Sequence, residues 1–276
     1  MTAPLDLDAL AARVPDGASV AIAKPPFEAM ALARALIARG ARDLELVTVP
    51  TGCLFADALI GAGCVRAVQT SGVSLGEFGP APFFARAVRE GRVEVIDATC
   101  PAVYAALQAG EKGVPFMPIR GVLGSDLLSV RPDWKTIQNP FSDAEDPLVL
   151  LPALRPDVAV MHGAEADRHG NLWVGGQHHL KTMAHAAHAT FATAERIVDG
   201  DLREDPLKAP NLIGAPYLEA VAEAPGGAWP QAAPPLYDVD AAAMRAYAAA
   251  ARAAGRGEGE TDWLALLTPP AARAAE

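Results

Sequence analysis

The sequence has few of the features that mark several classes of protein. Aromatic residues make up 6% of the 276 residues, and cysteine occurs three times, at Cys53, Cys64 and Cys100. An odd number of cysteines without a CxxC pair favours ordinary buried thiols in a reducing compartment over a disulfide framework. No apolar stretch approaches the ~18–20 residues that span a membrane, and no basic segment followed by an apolar run opens the chain. We therefore expect a cytoplasmic protein without a membrane segment.

Basic residues are scarce as well. Lysine and arginine number 23 against 33 aspartates and glutamates, which gives a formal charge of −10 and an isoelectric point near 5.1. Proteins that bind nucleic acid concentrate lysine and arginine, and no basic run occurs here, so we expect no nucleic-acid partner. With 51% hydrophobic residues and a mean hydropathy of +0.17, the chain can bury a sizeable core in one large or two small domains.

Several short motifs of nucleotide and hydrolase sites are missing. Gly72, Gly76 and Gly79 do not form GxGxxG, and the chain contains neither GxxxxGK[ST] nor GxSxG. Histidines cluster on one predicted helix, where His178, His185 and His188 share a face. That helix has no acidic ligand and no HExxH spacing, so we predict a solvated or partly buried helix face and no metal site.

What the sequence does contain is an alternation of apolar runs and helical patterns. The runs at 18–23, 44–49, 65–70, 93–96, 158–161 and 190–193 predict strands, and the patterns at 27–39, 82–89, 101–109, 177–189 and 241–254 predict helices. The strands are apolar throughout instead of alternating with polar residues. This is typical of βαβ units in an open, mostly parallel sheet flanked by helices, the α/β class.

Other segments are less regular. Residues 115–146 and 206–235 are rich in turn-forming residues and predict loops, the first of them long and ordered. Residues 162–167 predict a loop between the strand at 158–161 and a short return strand at 172–174, and residues 194–198 predict a helical turn. Residues 255–260 predict a flexible joint and 271–276 a frayed tail. We therefore predict one domain over residues 1–254 and a flexible extension over residues 255–276.

Candidate chemical groups follow the predicted strands, because ligands of parallel sheets bind at the carboxyl ends of the strands. Glu77 could act as a nucleophile or base, or it could be a solvated loop glutamate. Cys100 begins a predicted helix, a position that activates a thiol, or it could be an inert buried cysteine.

Candidate binding residues lie on the same loops. Lys24, Phe27 and Arg120 follow predicted strands and could contact an anionic or acyl substrate. Gly124 and Ser125 lie in a glycine-containing turn whose backbone N–H groups could hold a carbonyl or phosphate oxygen, or which could be purely structural.

A series of longer segments matches a known family in order, over roughly residues 18–240. The segments include PFEAMALARALIARGARDLELV, VPFMPIRGVLGSDLL, LRPDVAVMHGAEADRHGNLWVGG and LREDPLKAPNLIGAPYLEAV. The chain thereby resembles the alpha subunit of class I coenzyme A transferases, of the glutaconate CoA-transferase type.

The resemblance implies a CoA-transferase-type fold that pairs with a homologous beta subunit, for example as alpha2beta2. In such enzymes a glutamate that the beta subunit supplies attacks an acyl-CoA thioester, and the thioester is a substrate while no cofactor is bound permanently. The motif around that glutamate is missing here, so we expect this chain alone to be inactive. Its implied share is one wall of the acyl pocket, at residues 23–27, at 71–78 with Ser71, Ser74 and Phe78, and at 121–126.

The chain departs from the family pattern at three places. A glycine-rich GGFG-like loop is replaced by AIAK at 21–24, and a His-Pro-Ser segment by AWPQ at 228–231. The related ring-opening CoA hydrolases of steroid degradation are expected to carry a glutamate where this chain has ATCP at 98–101. Two alternatives stay open: a CoA-thioester hydrolase or ring-opening enzyme on the same scaffold, and a non-catalytic ligand-binding relative.

Overall fold

A computed structural model of the chain describes residues 5–255 and 262–270. The strands are β1 (Ser19–Ala23), β2 (Leu44–Val49), β3 (Val65–Thr70), β4 (Glu94–Asp97), β5 (Phe116–Ile119), β6 (Lys135–Gln138), β7 (Pro147–Pro152), β8 (Val158–Asp167), β9 (Leu172–Trp173), β10 (Ala189–Val198), β11 (Leu212–Ile213) and β12 (Ala220–Glu223). The helices are α1 (Leu7–Ala12), α2 (Met30–Ala38), α3 (Leu54–Gly61), α4 (Pro82–Arg89), α5 (Cys100–Lys112), α6 (Leu127–Val130), α7 (His178–Ala186) and α8 (Ala241–Gly255).

Seven parallel strands form the main sheet, in the order β12-β10-β8-β1-β2-β3-β4. The chain builds outward from β1 to β4 on one side and returns on the other side of β1 with β8. The point between β1 and β8 is therefore a topological switch point, and in open α/β sheets ligands bind beside the carboxyl ends of the strands there. The predicted open, mostly parallel sheet is confirmed.

Both faces of this sheet are covered. Val20 and Ile22 of β1 pack with α2, α3 and α8 on one face, and Ala21 and Ala23 pack with α5 and α7 on the other. Because every one of these side chains is buried, β1 shows the continuous apolar pattern of a strand covered on both sides. The predicted bounds of β2, β3 and α4 agree with the structure.

The predicted long loop at 115–146 is wrong. This region contains β5, α6 and β6, and the two strands pair with β7 in a three-stranded antiparallel sheet. Val149 and Leu151 of β7 are buried against α5, which gives the small sheet its own apolar cluster. The pairing joins residues about 30 positions apart, and a local pattern carries no signal for such a partner.

Three other local predictions also need correction. Residues 162–167 continue β8 instead of forming a loop, and residues 194–198 continue β10 instead of forming a helical turn, because the two strands pair along their length. The region 206–235 contains β11 and β12. Helix α2 begins at Met30, three residues after the predicted start.

The chain after α8 is described only in part. Residues 256–261 and 271–276, which include most of the predicted joint and the predicted tail, lie outside the described residues. Between them, the Trp263 ring lies 4.7 Å from that of Phe83, and Leu267 is fully buried. None of the helices within the described ranges is long and apolar enough to cross a membrane.

Candidate functional site

A cavity of about 680 Å³ lies at the carboxyl ends of β1, β2 and β3. Four segments of the chain line it: the loops after these three strands, and a fourth segment that precedes α8. The lining residues are Lys24, Pro25, Pro26, Thr51, Gly52, Cys53, Gly72, Val73, Ser74, Leu75, Gly76, Glu77, Phe78, Gln231, Ala232, Pro234 and Val239.

The loop after β1 takes an unusual backbone path. Phe27 has a φ of 69°, in the left-handed region that glycine normally occupies. Its N–H donates to the carbonyl oxygen of Ala232 at 2.9 Å, and its ring is buried against Ala164, Ala228 and Ala233. The loop thus makes, without glycine, a turn of the kind that glycine usually permits, and it joins the first segment of the cavity wall to the fourth.

The loops after β2 and β3 are hydrogen bonded to each other. Gly52 N–H donates to the carbonyl oxygen of Gly72 at 3.0 Å, and Ser74 N–H donates to that of Gly52 at 3.1 Å. A Cβ on Gly52 would lie 3.0 Å from the Thr48 methyl group and 3.1 Å from a Val73 methyl group. Glycine at this position lets the two loops approach closely and form one continuous wall.

Beside the cavity, Glu28 occupies a position that is closed to water. The side chain is 1% exposed, and its Oε1 accepts a hydrogen bond from Phe55 N–H at 3.2 Å in the first turn of α3. Burial raises the pKa of Glu28 to about 8, although hydrogen bonds from this helix end act in the opposite direction. At neutral pH Glu28 is therefore largely a neutral acid that caps α3.

Two other buried polar groups lie at the cavity wall. Gln231 Nε2 donates to Cys53 Sγ at 3.3 Å, which joins the start of α3 to the fourth segment. Burial raises the pKa of the Cys53 thiol, and the nearby Glu28 adds to this shift. Cys53 is therefore a neutral thiol, and a nucleophilic thiolate is not expected there.

Glu195, on β10, anchors the fourth segment of the wall. Its carboxylate accepts hydrogen bonds from Gly226 N–H at 2.6 Å, Gly227 N–H at 3.1 Å and the Tyr237 hydroxyl, and it lies 2.8 Å from His162 Nε2. Burial alone would raise the pKa of Glu195, but the hydrogen bonds from His162 and Tyr237 lower it below its ordinary value. A Cβ on Gly227 would lie 2.5 Å from the His162 ring, so this contact requires glycine.

Four of the sequence-predicted residues lie together. Lys24, Ser74, Glu77 and Phe78 line the cavity, with Lys24 and Glu77 exposed to solvent. Glu77 belongs to a 3₁₀ turn, Gly76–Phe78. Their convergence follows from the parallel sheet, which brings the loops after successive strands to one edge.

Ser71 and Cys100 form a separate pair next to the cavity. The Ser71 hydroxyl lies 2.9 Å from Cys100 Sγ, at the start of α5, and 2.8 Å from the carbonyl oxygen of Pro50. Neither residue is among those that line the main cavity. Cys53 and Cys64 are buried thiols as predicted, while Cys100 is half-buried.

The other candidates lie away from the cavity. The Phe27 ring is buried behind its wall, 1% exposed. Arg120 pairs with Asp146 at 2.7 Å on the small sheet, and the Ser125 hydroxyl donates to the carbonyl oxygen of Val122 at 2.7 Å within the turn that contains Gly124. The predicted wall at 121–126 thus belongs to a different part of the molecule.

Sequence reasoning missed the fourth segment, which brings Gln231, Ala232 and Val239 to the cavity. It also missed Thr51 and Gly52 after β2. The one signal for the fourth segment was the departure from His-Pro-Ser at residues 228–231, which ends at Gln231. Nothing local indicated that residues this late in the chain would cover loops from its first third.

The histidines of α7 have separate partners. His185 Nδ1 lies 3.3 Å from Glu111 Oε1, and its ring stacks 3.7 Å from that of Tyr217. Burial lowers the pKa of His179 to about 4, with a further contribution from Lys24. Across residues 5–255 and 262–270, no three His, Cys, Asp or Glu side chains are grouped so that they could hold a metal ion.

Comparisons with known proteins agree with this arrangement. The family model described as coenzyme A transferase matches residues 6–221. The chain is 36% identical over 215 residues to the alpha-type subunit of the 3-oxoadipate CoA-transferase of Pseudomonas knackmussii, covering 74% of this chain and 72% of that protein. It is 33% identical over 235 residues to the cholesterol ring-cleaving hydrolase IpdA subunit of Rhodococcus jostii, covering 81% of this chain and 77% of that protein. The crystal structure of glutaconate CoA-transferase from Acidaminococcus fermentans superposes with a TM-score of 0.83 at 26% identity, covering 90% of this chain and 84% of that one.

Proposed function

This chain belongs to the coenzyme A transferase family, and we propose how it takes part in the reaction. It is the alpha subunit of a heteromeric enzyme that moves CoA between an acyl-CoA thioester and a free carboxylic acid. In our proposal a beta subunit homologue supplies the catalytic glutamate, and the complex is an alpha2beta2 assembly in the cytoplasm. The CoA thioester is a substrate, and no cofactor is bound permanently. Residues 1–254 act as the family domain and residues 255–276 as its extension.

The cavity supports this division of labour because it offers walls for an acyl group but no sheltered nucleophile. Glu77 is the carboxylate among its lining residues, and it is exposed to solvent. A carboxylate that attacks a thioester has to be shielded from water, since hydrolysis otherwise competes with transfer. Glu28 is shielded, but it does not line the cavity and it caps α3. A glutamate from a second chain meets the requirement.

The reaction then proceeds by exchange at that glutamate. The carboxylate attacks the thioester carbonyl, the C–S bond breaks, and CoA leaves as a thiolate from a mixed anhydride. The thiolate attacks the glutamyl carbonyl, which releases the first acid as a carboxylate and leaves a glutamyl-CoA thioester. The incoming acid reverses these steps and departs as the new acyl-CoA. This chain's part is to bind the acyl group and keep water from the anhydride.

The test is acyl exchange by the two-chain complex. We would co-express this chain with a candidate beta subunit, then follow the transfer of CoA from one thioester to a second, labelled acid. Borohydride should inactivate the complex only after acyl-CoA has been added, because it reduces the glutamyl thioester, and the modified residue should lie on the beta chain. The Glu77→Gln variant should keep its transfer rate within about twofold, as expected for a rim residue that is not the nucleophile.

Two results would contradict the proposal. One is borohydride modification of this chain, accompanied by loss of transfer in Glu77→Gln. The other is release of free acid without exchange, which would identify a hydrolase. Activity of this chain without any partner would equally rule out a glutamate supplied in trans.

A hydrolase or ring-opening enzyme is the second candidate, because one relative carries that activity in its name. It would need a group of this chain near the cavity, and the Cys100–Ser71 pair is available there. Hydrolysis that disappears in Cys100→Ala but persists in Cys64→Ala would favour this alternative. A complex that binds acyl-CoA and neither exchanges nor hydrolyses it would be the non-catalytic relative.

A further inference from the structure

The chemistry of the cavity lining restricts the acyl group that it can hold. Most of the lining is apolar, contributed by Pro25, Pro26, Val73, Leu75, Phe78, Ala232, Pro234 and Val239. The charged side chains among the lining residues are those of Lys24 and Glu77, and both are exposed at the rim.

The inner polar groups are already engaged with one another. Gln231 Nε2 donates to Cys53 Sγ at 3.3 Å, and Ser74 Oγ accepts a hydrogen bond from Gly76 N–H at 3.1 Å. A second carboxylate on the acyl group would therefore meet no inner cation and few free donors. Burying an unpaired carboxylate is costly enough that the group avoids such a position.

The size of the cavity points the same way. Its volume of about 680 Å³ lies within the roughly 300–1,000 Å³ that holds drug-sized molecules, and a short acyl chain would leave much of it empty. An apolar surface of this extent gains binding free energy in proportion to the apolar area that a ligand covers.

We propose that the acyl group is carbon-rich and carries a single carboxyl, the one joined to CoA, and that its distal chain or ring lies in this cavity. Short dicarboxylic acyl groups are selected against because the inner wall offers no partner for a second carboxylate. This inference rests on the proposed function for its chemistry, although the binding preference can be measured without turnover.

The first test uses CoA thioethers, which have no carbonyl to attack. Binding of octyl-CoA and of carboxypentyl-CoA to the two-chain complex would be compared by calorimetry. We expect octyl-CoA to bind about tenfold or more tightly, which is the scale of discrimination that one or a few buried methylenes provide. Equal binding, or tighter binding of the carboxypentyl compound, would overturn the inference even if transfer is observed.

The second test narrows the cavity. Ala232 is half-buried in the wall, and its contact with Phe27 is made by its backbone carbonyl, so Ala232→Phe fills space while that hydrogen bond remains possible. Transfer from octanoyl-CoA should fall about tenfold or more in kcat/KM while transfer from acetyl-CoA changes about twofold or less. The matched control is Ala246→Phe, on the exposed face of α8, which should leave both rates unchanged.

These tests separate the two ideas. Thioether preference together with no transfer from any thioester would leave the substrate class standing and reject the transferase. Efficient transfer from adipyl-CoA, undiminished by Ala232→Phe, would leave the transferase standing and reject the substrate class. If Ala232→Phe fails to fold, Val239→Phe changes the same wall from α8's approach and is subject to the same expectation.

Discussion

Phe27 holds a backbone conformation that most residues avoid. The left-handed region costs a residue with a Cβ about 1–2 kcal/mol, and glycine pays no such penalty. Here the cost is met by burial of the ring and by the hydrogen bond from Phe27 N–H to Ala232. The residue thereby fixes the loop after β1 at the cavity wall, and the conformational need can be separated from the packing need by substitution.

Replacing Phe27 by alanine and by glycine makes this separation. Both variants lose the buried ring, so both should be destabilised by about 3–5 kcal/mol. The glycine variant should nevertheless be at least as stable as the alanine variant, because it fits the φ of 69° without strain. Unfolding in urea measures the difference.

Phe55 provides the control for this comparison. It is equally buried, 1% exposed, but lies in the helix α3. There the glycine variant should be less stable than the alanine variant by about 1 kcal/mol. The same order of stability at both positions would show that the left-handed backbone at Phe27 has no energetic weight.

At the scale of elements, the segment from Gly226 to Val239 depends on a few buried polar contacts. It has no regular strand or helix of its own between β12 and α8, and Glu195 provides several of its anchoring hydrogen bonds. Since this segment forms one wall of the cavity, its order and the order of the site are coupled.

Tyr237→Phe should loosen this wall. The variant removes the hydroxyl that donates to Glu195 and accepts from Ala228 N–H at 3.1 Å, and a buried group left without its partner costs about 1–3 kcal/mol. Hydrogen exchange at residues 226–239 should become faster, and the KM for acyl-CoA should rise. Tyr217→Phe, at a tyrosine that is 46% exposed, should change neither. Unchanged protection of this segment in Tyr237→Phe would refute the anchoring role.

The success of sequence reasoning also divides by element. The strands β2 and β3 and the helix α4 are predictable with their bounds, because an apolar run or helical pattern and nearby turn residues define each of them locally. Residues 162–167 of β8 carry polar side chains, a pattern typical of a loop. Their polarity is compatible with burial only because distant partners satisfy it, as Thr193 and Glu195 do for His162.

The site follows the same rule. Lys24, Ser74, Glu77 and Phe78 are within reach of prediction, since a parallel sheet brings the loops after its first strands to one edge. Gln231 and Val239 are out of reach, because their approach depends on the Glu195 anchor and on the hydrogen bond to Phe27. The small sheet of β5, β6 and β7 moves Arg120, Gly124 and Ser125 away from the cavity for an equally non-local reason.

For the whole molecule, buried acids make stability depend on pH in an uncommon direction. Burial raises the pKa of Glu28 from 4.5 to about 8 and that of Asp57 from 3.8 to about 6. Both carboxyls bind a proton more tightly in the folded state, so their contribution is complete below their unfolded pKa and is lost as pH rises through the folded pKa. Burial lowers the pKa of His179 to about 4, and its effect falls between pH 4 and 6.5. The window from pH 6.5 to 8 therefore reports mainly on Glu28.

We expect the free energy of unfolding to fall by about 1–2 kcal/mol between pH 6.5 and 8, and Glu28→Gln to remove most of this slope. Glutamine keeps an oxygen that can accept from Phe55 N–H, so the cap on α3 can persist. Urea unfolding of both proteins at several pH values is the measurement. The control Glu77→Gln, at an exposed carboxyl, should retain the wild-type slope. Parallel slopes for Glu28→Gln and the wild type would show that Glu28 ionises normally.

The main sheet is joined at its middle by a short ladder. β1 meets β8 along three residue pairs, and Ser19 and Asp157 hydrogen bond at its start although they are 138 positions apart. Synthesis adds about 5–20 residues per second, so on the ribosome β1 waits on the order of ten seconds for its second neighbour. During that time one edge of β1 is unpaired, and an unpaired apolar edge invites pairing with other chains. The nascent protein is thus most vulnerable at the strand that later borders its cavity.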